Sequence, residues 1–450
     1  MSKKTTENIK MVIIVVLFLA TILLLYLIWG GSKNVKVSDL IPSFEKESSE
    51  IEVGGTVEPE KTYYSVGDGS YRTVTDSYYA YYQLMTYFRQ MSDNSTVMPT
   101  EITKEQYEEA INNHPSVISV FPYELPFAEL CSDLGISGSN AYESIGSVTD
   151  ICFSSAATDS ILAADKISEK YFRLVSDTVS LEFKEPYSYI PDYHCYKVSW
   201  VLGAGENGLF PLLTQTWMNK GVYKQEGIFD SKEIYELAGL IFGDSLDFVR
   251  RISDGFGNYT FMYGYGQKTL TLGKDGSIEF KTEVSSGNSE GFFGDLKTAK
   301  KFYSSLLSHI NIDEAAAILK LKDVNQQGSG RSASYTFCFD MHFPPYDICS
   351  GEGYALEIKV EKGQVSWFRC RIVPVNFEYD DPLPREVMDA ANVLAANSYS
   401  DESFTKIAEN YKSMEEAYFM KDGKLIPAWR LVLLDGNTYY YDIYTGEVLN

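Results

Sequence analysis

Nineteen residues near the start, "MVIIVVLFLATILLLYLIW" from Met11 to Trp29, constrain this chain more than any other stretch. Only Thr21 and Tyr26 in this run carry a hydroxyl, and none of the residues is charged. As a helix rising about 1.5 Å per residue the run would be ~28 Å long, close to the thickness of a bilayer's hydrocarbon core. A cleaved signal would have a shorter apolar region ending in a small-x-small site, whereas "GGSKNVKVSD" follows here. A lipoprotein anchor would place a cysteine at the end of the run, and the first cysteine is Cys131. The reading is an uncleaved single span. Lys3, Lys4 and Lys10 precede it, which favours a cytoplasmic N-terminus and an extracytoplasmic bulk.

Such a topology makes the charge of the remainder informative. Beyond the span lie 36 basic and 61 acidic residues. A field of that sign repels nucleic acid, anionic head groups and acidic wall polymers, so a protein is the more natural partner. The aromatic share is 14%, with 34 tyrosines, which suits half-buried strands and contact surfaces and argues against disorder. Cys131, Cys152, Cys195, Cys338, Cys349 and Cys370 would lie in a disulfide-permissive space. Cys131 with Cys152, and a local bridge among Cys338, Cys349 and Cys370, are the candidate disulfides, the alternative being small buried thiols; spacing does not fix the pairing.

The expected fold class is α+β: one N-terminal transmembrane helix followed by a multi-domain extracytoplasmic region. A cytoplasmic tail, 1–10, and the span, 11–29, lead into a polar stalk, 30–61. An N-terminal α+β domain is expected over 62–290. "TVTDSYYAYYQLMTYFRQM" reads as a helix, and "TKEQYEEAINN" as another with Thr103 as N-cap. "TDICFSS" and "HCYKVSWVL" read as strands, and "SKEIYELAGLIFG" and "DSLDFVRRIS" as helices. Around Asp275-Gly276 the period-two pattern predicts a hairpin. A central α+β domain follows over 291–379, with a helix and then strands joined at Lys362-Gly363. The last, over 380–450, has helices and then three strands turned at Asp422-Gly423 and Asp435-Gly436. These final two share the order helix then antiparallel sheet, which suggests similar topology. In the last hairpin Trp429, Leu431 and Leu433 should share one face, with Arg430, Val432 and Leu434 on the other.

Catalytic and cofactor motifs are weak. Gly203, Gly205 and Gly208 form G-x-G-x-x-G after a strand-like run, but no parallel strand ending in an acidic residue follows "LLTQTWMNK", a candidate short helix. A glycine-rich turn is the better reading, and no cofactor is expected. His114, His194, His309 and His342 are scattered, and Cys338, His342 and Cys349 lack a paired C-x-x-C, so no metal site is assigned. Neither G-x-S-x-G nor H-E-x-x-H occurs, and the S-x-x-K at Ser43 to Lys46 stands alone. No catalytic residue is assigned, and the chain is read as not an enzyme.

Several stretches together resemble the YycH regulators of low-GC Gram-positive bacteria. They are "ISVFPYELPFAEL", "ELAGLIFGDSLDFVRRISDGFGNYTF" and "KTLTLGKDGSIEF". The closing "LIPAWRLVLLDGNTYYYDIYTGEV" is similar to the last strands of the companion family YycI and, more loosely, to PepSY domains. The resemblance implies a bitopic membrane protein that controls the cell-wall sensor histidine kinase WalK together with a YycI-like partner. It also implies that membrane helices carry much of the signal. Within the span, Ala20, Thr21 and Leu24 make the small-residue patch, and Thr21 and Tyr26 can hydrogen-bond across helices, so these four are the candidate partner-binding residues. The alternative is an extracytoplasmic sensing module for a peptide or wall fragment, and a third reading is a hydrolase with clustered reactive groups in a cleft.

Overall fold

The structure, a computed structural model, describes residues 57–449 except 75–76, 95, 137–141, 178–181, 184–188, 204–207, 214, 217, 226–228, 308–317, 378–384 and 399–400. Met11–Trp29, with Ala20, Thr21, Leu24 and Tyr26, lies outside the described residues. Among those described, no helix is long and apolar enough to cross a membrane.

The first half of the body is built on nine strands: β1 (Lys61–Ser65), β2 (Ser70–Val74), β3 (Val97–Ile102), β4 (Ser116–Pro126), β5 (Ser147–Ser154), β6 (Ser160–Asp165), β7 (Lys170–Ser176), β8 (Tyr189–Lys197) and β9 (Leu209–Leu212). They form one antiparallel sheet in the order β3-β7-β6-β5-β4-β1-β2-β8-β9. Helix α1, Ser77–Asn94, packs on it because Tyr81, Leu84, Met85 and Phe88 recur at three- and four-residue steps and are buried. Its Phe88 ring stacks on Phe127 at 5.9 Å. Thr103 caps α2, Lys104–Asn112, as its sequence predicts, and Gln106 completes a full capping box. Pro122 does not break β4; the strand ends at Pro126, where α3, Phe127–Asp133, begins.

Two expectations fail around residue 200. Strand β8 stops at Lys197, and Val198–Leu202 turns into a short helix, α4. The stretch expected to be helical after Pro211 instead holds β9 and β10 (Gln215–Thr216), followed by β11 (Gly221–Tyr223). Gly208, with φ of 95°, answers the glycine motif: a Cβ there would sit 3.0 Å from the Lys412 carbonyl and the Tyr411 ring. The glycine admits a protein strand, not a phosphate.

A second sheet of fourteen strands holds most of the rest, and β10 pairs with a short strand near residue 385 in a two-stranded sheet of its own. Helix α5, Ser231–Phe242, is capped by Asp230 and Glu233. Next come β12 (Arg250–Ser253), β13 (Tyr259–Tyr263), β14 (Lys268–Leu272) and β15 (Ser277–Thr282). The expected helix "DSLDFVRRIS" is instead a 3₁₀ turn, Gly243–Phe248, and β12. Gly243, with φ of 51°, ends α5, and Arg251 then lies over the rings of Tyr235 and Tyr259. After α6, Gly291–Leu307, come β16 (Ile318–Gln327), β17 (Ser334–Phe343), β18 (Tyr346–Cys349), β19 (Leu356–Glu361), β20 (Gln364–Arg371), β21 (Val375–Phe377) and β22 (Arg385–Glu386). Helices α7, Ala390–Asn397, and α8, Asp401–Glu409, precede β23 (Tyr411–Lys421), β24 (Lys424–Leu433) and β25 (Thr438–Asp442).

The helix-then-strands order is therefore present in both C-terminal stretches. Strands β15 and β20 pair across residue 290, and β18 pairs in parallel with β23, so hydrogen bonds join stretches that the sequence reading separates. Trp429, Leu431 and Leu433 are buried on one face of β24, with Leu434 exposed, as the alternation predicts.

Candidate functional site

The polar centre of the body lies where the chain enters it. Val57 is already buried, and Glu60 precedes β1, its N–H donating to the Val120 carbonyl at 2.8 Å. The end of the segment read as stalk is thus part of the folded interior. Lys320 and Lys322, two apart on β16, both reach Glu60. The Lys322 ammonium is 2.9 Å from Glu60 Oε1 and also bonds Asp347, and the Lys320 ammonium donates to the Glu60 carbonyl at 2.8 Å. Beside them Lys61 pairs with Glu415 Oε2 at 2.7 Å.

Strand β24 closes the cluster. Its Arg430 lies directly across from Glu415 in the β23–β24 register and is 3.5 Å from Glu415, 3.6 Å from Asp340 and 3.7 Å from Asp347. His342 Nδ1 is 2.8 Å from Asp347 Oδ1. Burial of bare charges is costly, so each must be paired or neutralised. Burial works to raise the Glu60 carboxyl, but Lys322, helped by Lys61, holds it down at about 2. Asp347 is likewise held well below the carboxylate range against burial, by Lys322 and His342. Asp340 behaves differently: burial lifts it to about 6, with Arg430 only partly opposing.

Oxygens of Glu60, Asp347 and Glu415 lie within 4.8 Å of one another, a spacing that suits a cation. The Lys322 ammonium already bonds two of these three groups and Lys61 and Arg430 pair the third. This side-chain set supplies its own positive charge, so the residues present fit an ionic junction and not a metal centre.

An apolar contact joins the same two sheets. Phe292, at the start of α6, stacks on Tyr123 of β4 at 6.3 Å and meets Phe337 and Tyr335 of β17 edge-on at 5.8 and 5.9 Å. A third contact comes from the connector 208–223. Tyr411 donates to the Leu209 carbonyl at 2.7 Å, its ring packs on Phe210, and Thr216 donates to Glu416.

All six cysteines are buried free thiols. Cys131 is on α3, Cys152 on β5, Cys195 on β8, Cys338 on β17, Cys349 on β18 and Cys370 on β20. Burial pushes Cys195 and Cys370 up to about 12 and the other four higher still, which makes them poor nucleophiles. Of the histidines weighed from sequence, His342 enters the cluster, as a partner of Asp347. Glu60, Lys61, Lys320, Lys322, Asp340, Asp347, Glu415 and Arg430 were not singled out for the site by sequence reasoning. One local signal existed: Arg430 between Trp429 and Leu431 is a charge in a strand too apolar to leave it unpaired.

The site therefore defines a class: a multi-sheet α+β scaffold whose interior is pinned by ion pairs at the point of chain entry. Residues 7–144 match the family model of the YycH protein, N-terminal domain. The fold is similar to that of the crystal structure of YycH from Bacillus subtilis, with a TM-score of 0.54 and 14% identity over 88% of this chain and 98% of that one. On these findings residues 7–144 are similar to the YycH N-terminal domain, and the likeness of the chain as a whole to YycH is one of fold. No curated protein matches it.

Proposed function

We infer that this chain is a membrane-anchored extracytoplasmic regulator in the pathway of a WalK-type sensor histidine kinase. The observation that carries the reading is its likeness to YycH, in the N-terminal family match and in the fold. In this reading Met11–Trp29 spans the membrane with the N-terminus in the cytoplasm, and the span contacts the kinase through Ala20, Thr21, Leu24 and Tyr26. A YycI-like bitopic protein is the expected companion; the likeness of the C-terminal strands to YycI rests on sequence alone. Regulation is by contact and not by catalysis: the chain shifts the kinase only by its difference in affinity for the signalling states.

The ionic junction gives this reading a physical route. A displacement reaching the start of the described body meets Glu60 and Lys61, which are tied directly to β16 and β23 and, through Lys322, to β18. The sensing-module alternative has less support. A cavity of 140 Å³ lined by Phe229, Ile234, Tyr259 and Leu272 is smaller than the roughly 300–1,000 Å³ of ordinary ligand clefts.

The test is crosslinking and co-purification from the native membrane, with the intact chain and with a chain whose Met11–Trp29 is replaced by a generic apolar helix. The expected result is recovery of a sensor kinase with the intact chain and its loss or weakening with the replacement. Equal recovery with both would overturn the helix-contact part, and recovery of no kinase with either would overturn the whole.

A further inference from the structure

Glu415 and Glu416 are neighbours on β23 and so face opposite ways. Glu415 is met by Lys61 and Arg430. Glu416 is met by one neutral group, the Thr216 hydroxyl, and among the described residues no ion pair reaches it. Thr216 is buried, and among the described residues its strand β10 pairs with the two residues of β22, Arg385 and Glu386. The same stretch hangs on two more hydroxyls: the Asn219 N–H donates to Tyr418 at 3.0 Å, and Tyr444 donates to the Met218 carbonyl at 3.5 Å. Residues 208–223 carry the chain from the nine-stranded sheet to the larger one, so this pocket fastens the connection between them.

We propose that Glu416 is a proton-operated latch on the connector 208–223. With a proton, its carboxyl and the Thr216 hydroxyl hold β10 and β22 against β23. Without it, an uncompensated charge occupies the same pocket and loosens the stretch.

The surroundings of this carboxyl support the latch. The residue is half-buried and not sealed off, so a proton can exchange with water. Burial lifts the carboxyl to about 7, against the lowering effects of Thr216 and Lys61. The titratable groups turned toward it are Tyr346 of β18 and Tyr444, both pushed upward by burial, with Tyr418 alongside on β23. Its cross-strand partner on β24 is Trp429, which brings no charge. The other charged groups on elements packed around the pocket are Lys61, Arg385, Glu386, Glu415 and Asp442, and of the cations Lys61 is the one that acts on Glu416, at a distance. A carboxyl raised in the folded state contributes its stabilisation in full below its ordinary value and loses it as pH rises through the folded value. The latch therefore closes in mild acid and opens through neutrality.

Hydrogen–deuterium exchange on the full chain, expressed as protection factors at about pH 5.5 and about pH 8, reads the latch directly. For peptides within 209–223 and around 385–386, protection should fall about tenfold between the two, the equivalent of one retained pKa unit. Glu416→Gln, which keeps the shape and removes the charge, should be flat across the range. Thr216→Val should lower protection at both values. An unchanged wild type, or a Gln variant that falls as far as wild type, would overturn the proposal. Should the variants fail to fold, carbon-13 titration of wild type labelled only in glutamate carboxyls decides. One resonance moving near pH 7 is expected, and none moving between about pH 6 and 8 would overturn the latch.

Discussion

The charged seam and the aromatic seam join the same pair of sheets by opposite physics. At the first, Glu60 and Lys61 enter a cluster of buried ions on β16, β18, β23 and β24. At the second, Phe292 sits between Tyr123 and the rings of Tyr335 and Phe337. Aromatic burial is favourable in many relative placements, so it gives cohesion with little register. Ion pairs in a dry interior add little net cohesion but penalise every wrong placement, because a displaced partner leaves a bare charge. One seam glues and the other aligns.

Replacing single groups should separate these roles. Lys322→Ala removes the ion-pair partner of Glu60 and leaves Asp347 only His342 and Arg430, and is expected to cost about 3–5 kcal/mol in urea unfolding. Most of that loss should return when Asp347→Asn and Glu60→Gln are added, since the penalty comes from the bare charges. Failure to recover would mean that Lys322 acts by packing, and the contrast between the seams would fall. Phe292→Ala should cost about 3–4 kcal/mol, with no recovery by second substitutions and little dependence on salt.

Titration offers a smaller handle. Glu60 and Asp347 are depressed in the folded state, so their contribution is present above the ordinary carboxylate values and is lost as pH falls through the folded values, about 2 for Glu60. Asp340, raised to about 6, has the reverse sign: its contribution is present below the ordinary aspartate value and is lost as pH rises through about 6. The Glu60 and Asp340 contributions are each on the order of 3 kcal/mol. Unfolding midpoints followed across pH should show the acid arm in wild type and in Phe292→Ala but not in Lys322→Ala. Lys61→Ala leaves Glu415 with Arg430 and should cost only about 1 kcal/mol, reduced further by salt. Least perturbing is a thiol assay: six equivalents should react after denaturation and none promptly in the native protein, because every cysteine is buried.

Local chemistry was readable from the sequence, and distant chemistry was not. Thr103 as a cap, the turns at Asp275-Gly276, Lys362-Gly363 and Asp422-Gly423, and the alternation of β24 all stand in the structure, because each is decided within a few residues. "DSLDFVRRIS" misled because its apolar spacing fits a helix, while Gly243 ends the preceding helix and the two arginines continue as an edge strand. Strand β16 passed unassigned because its lysines interrupt the apolar pattern, and those lysines are buried only by meeting Glu60, some 260 positions away. The junction as a whole draws on β1, β16, β17, β18, β23 and β24, and no short window contains more than a fragment of it.

The position of β1 has a mechanical consequence. It lies inside the nine-stranded sheet, bonded to β2 on one side and β4 on the other, and residues 57–60 lead into its leading end. A pull on that end shears two ladders together instead of peeling an outer strand rung by rung. Such a graft can transmit a tug into the body without unravelling it.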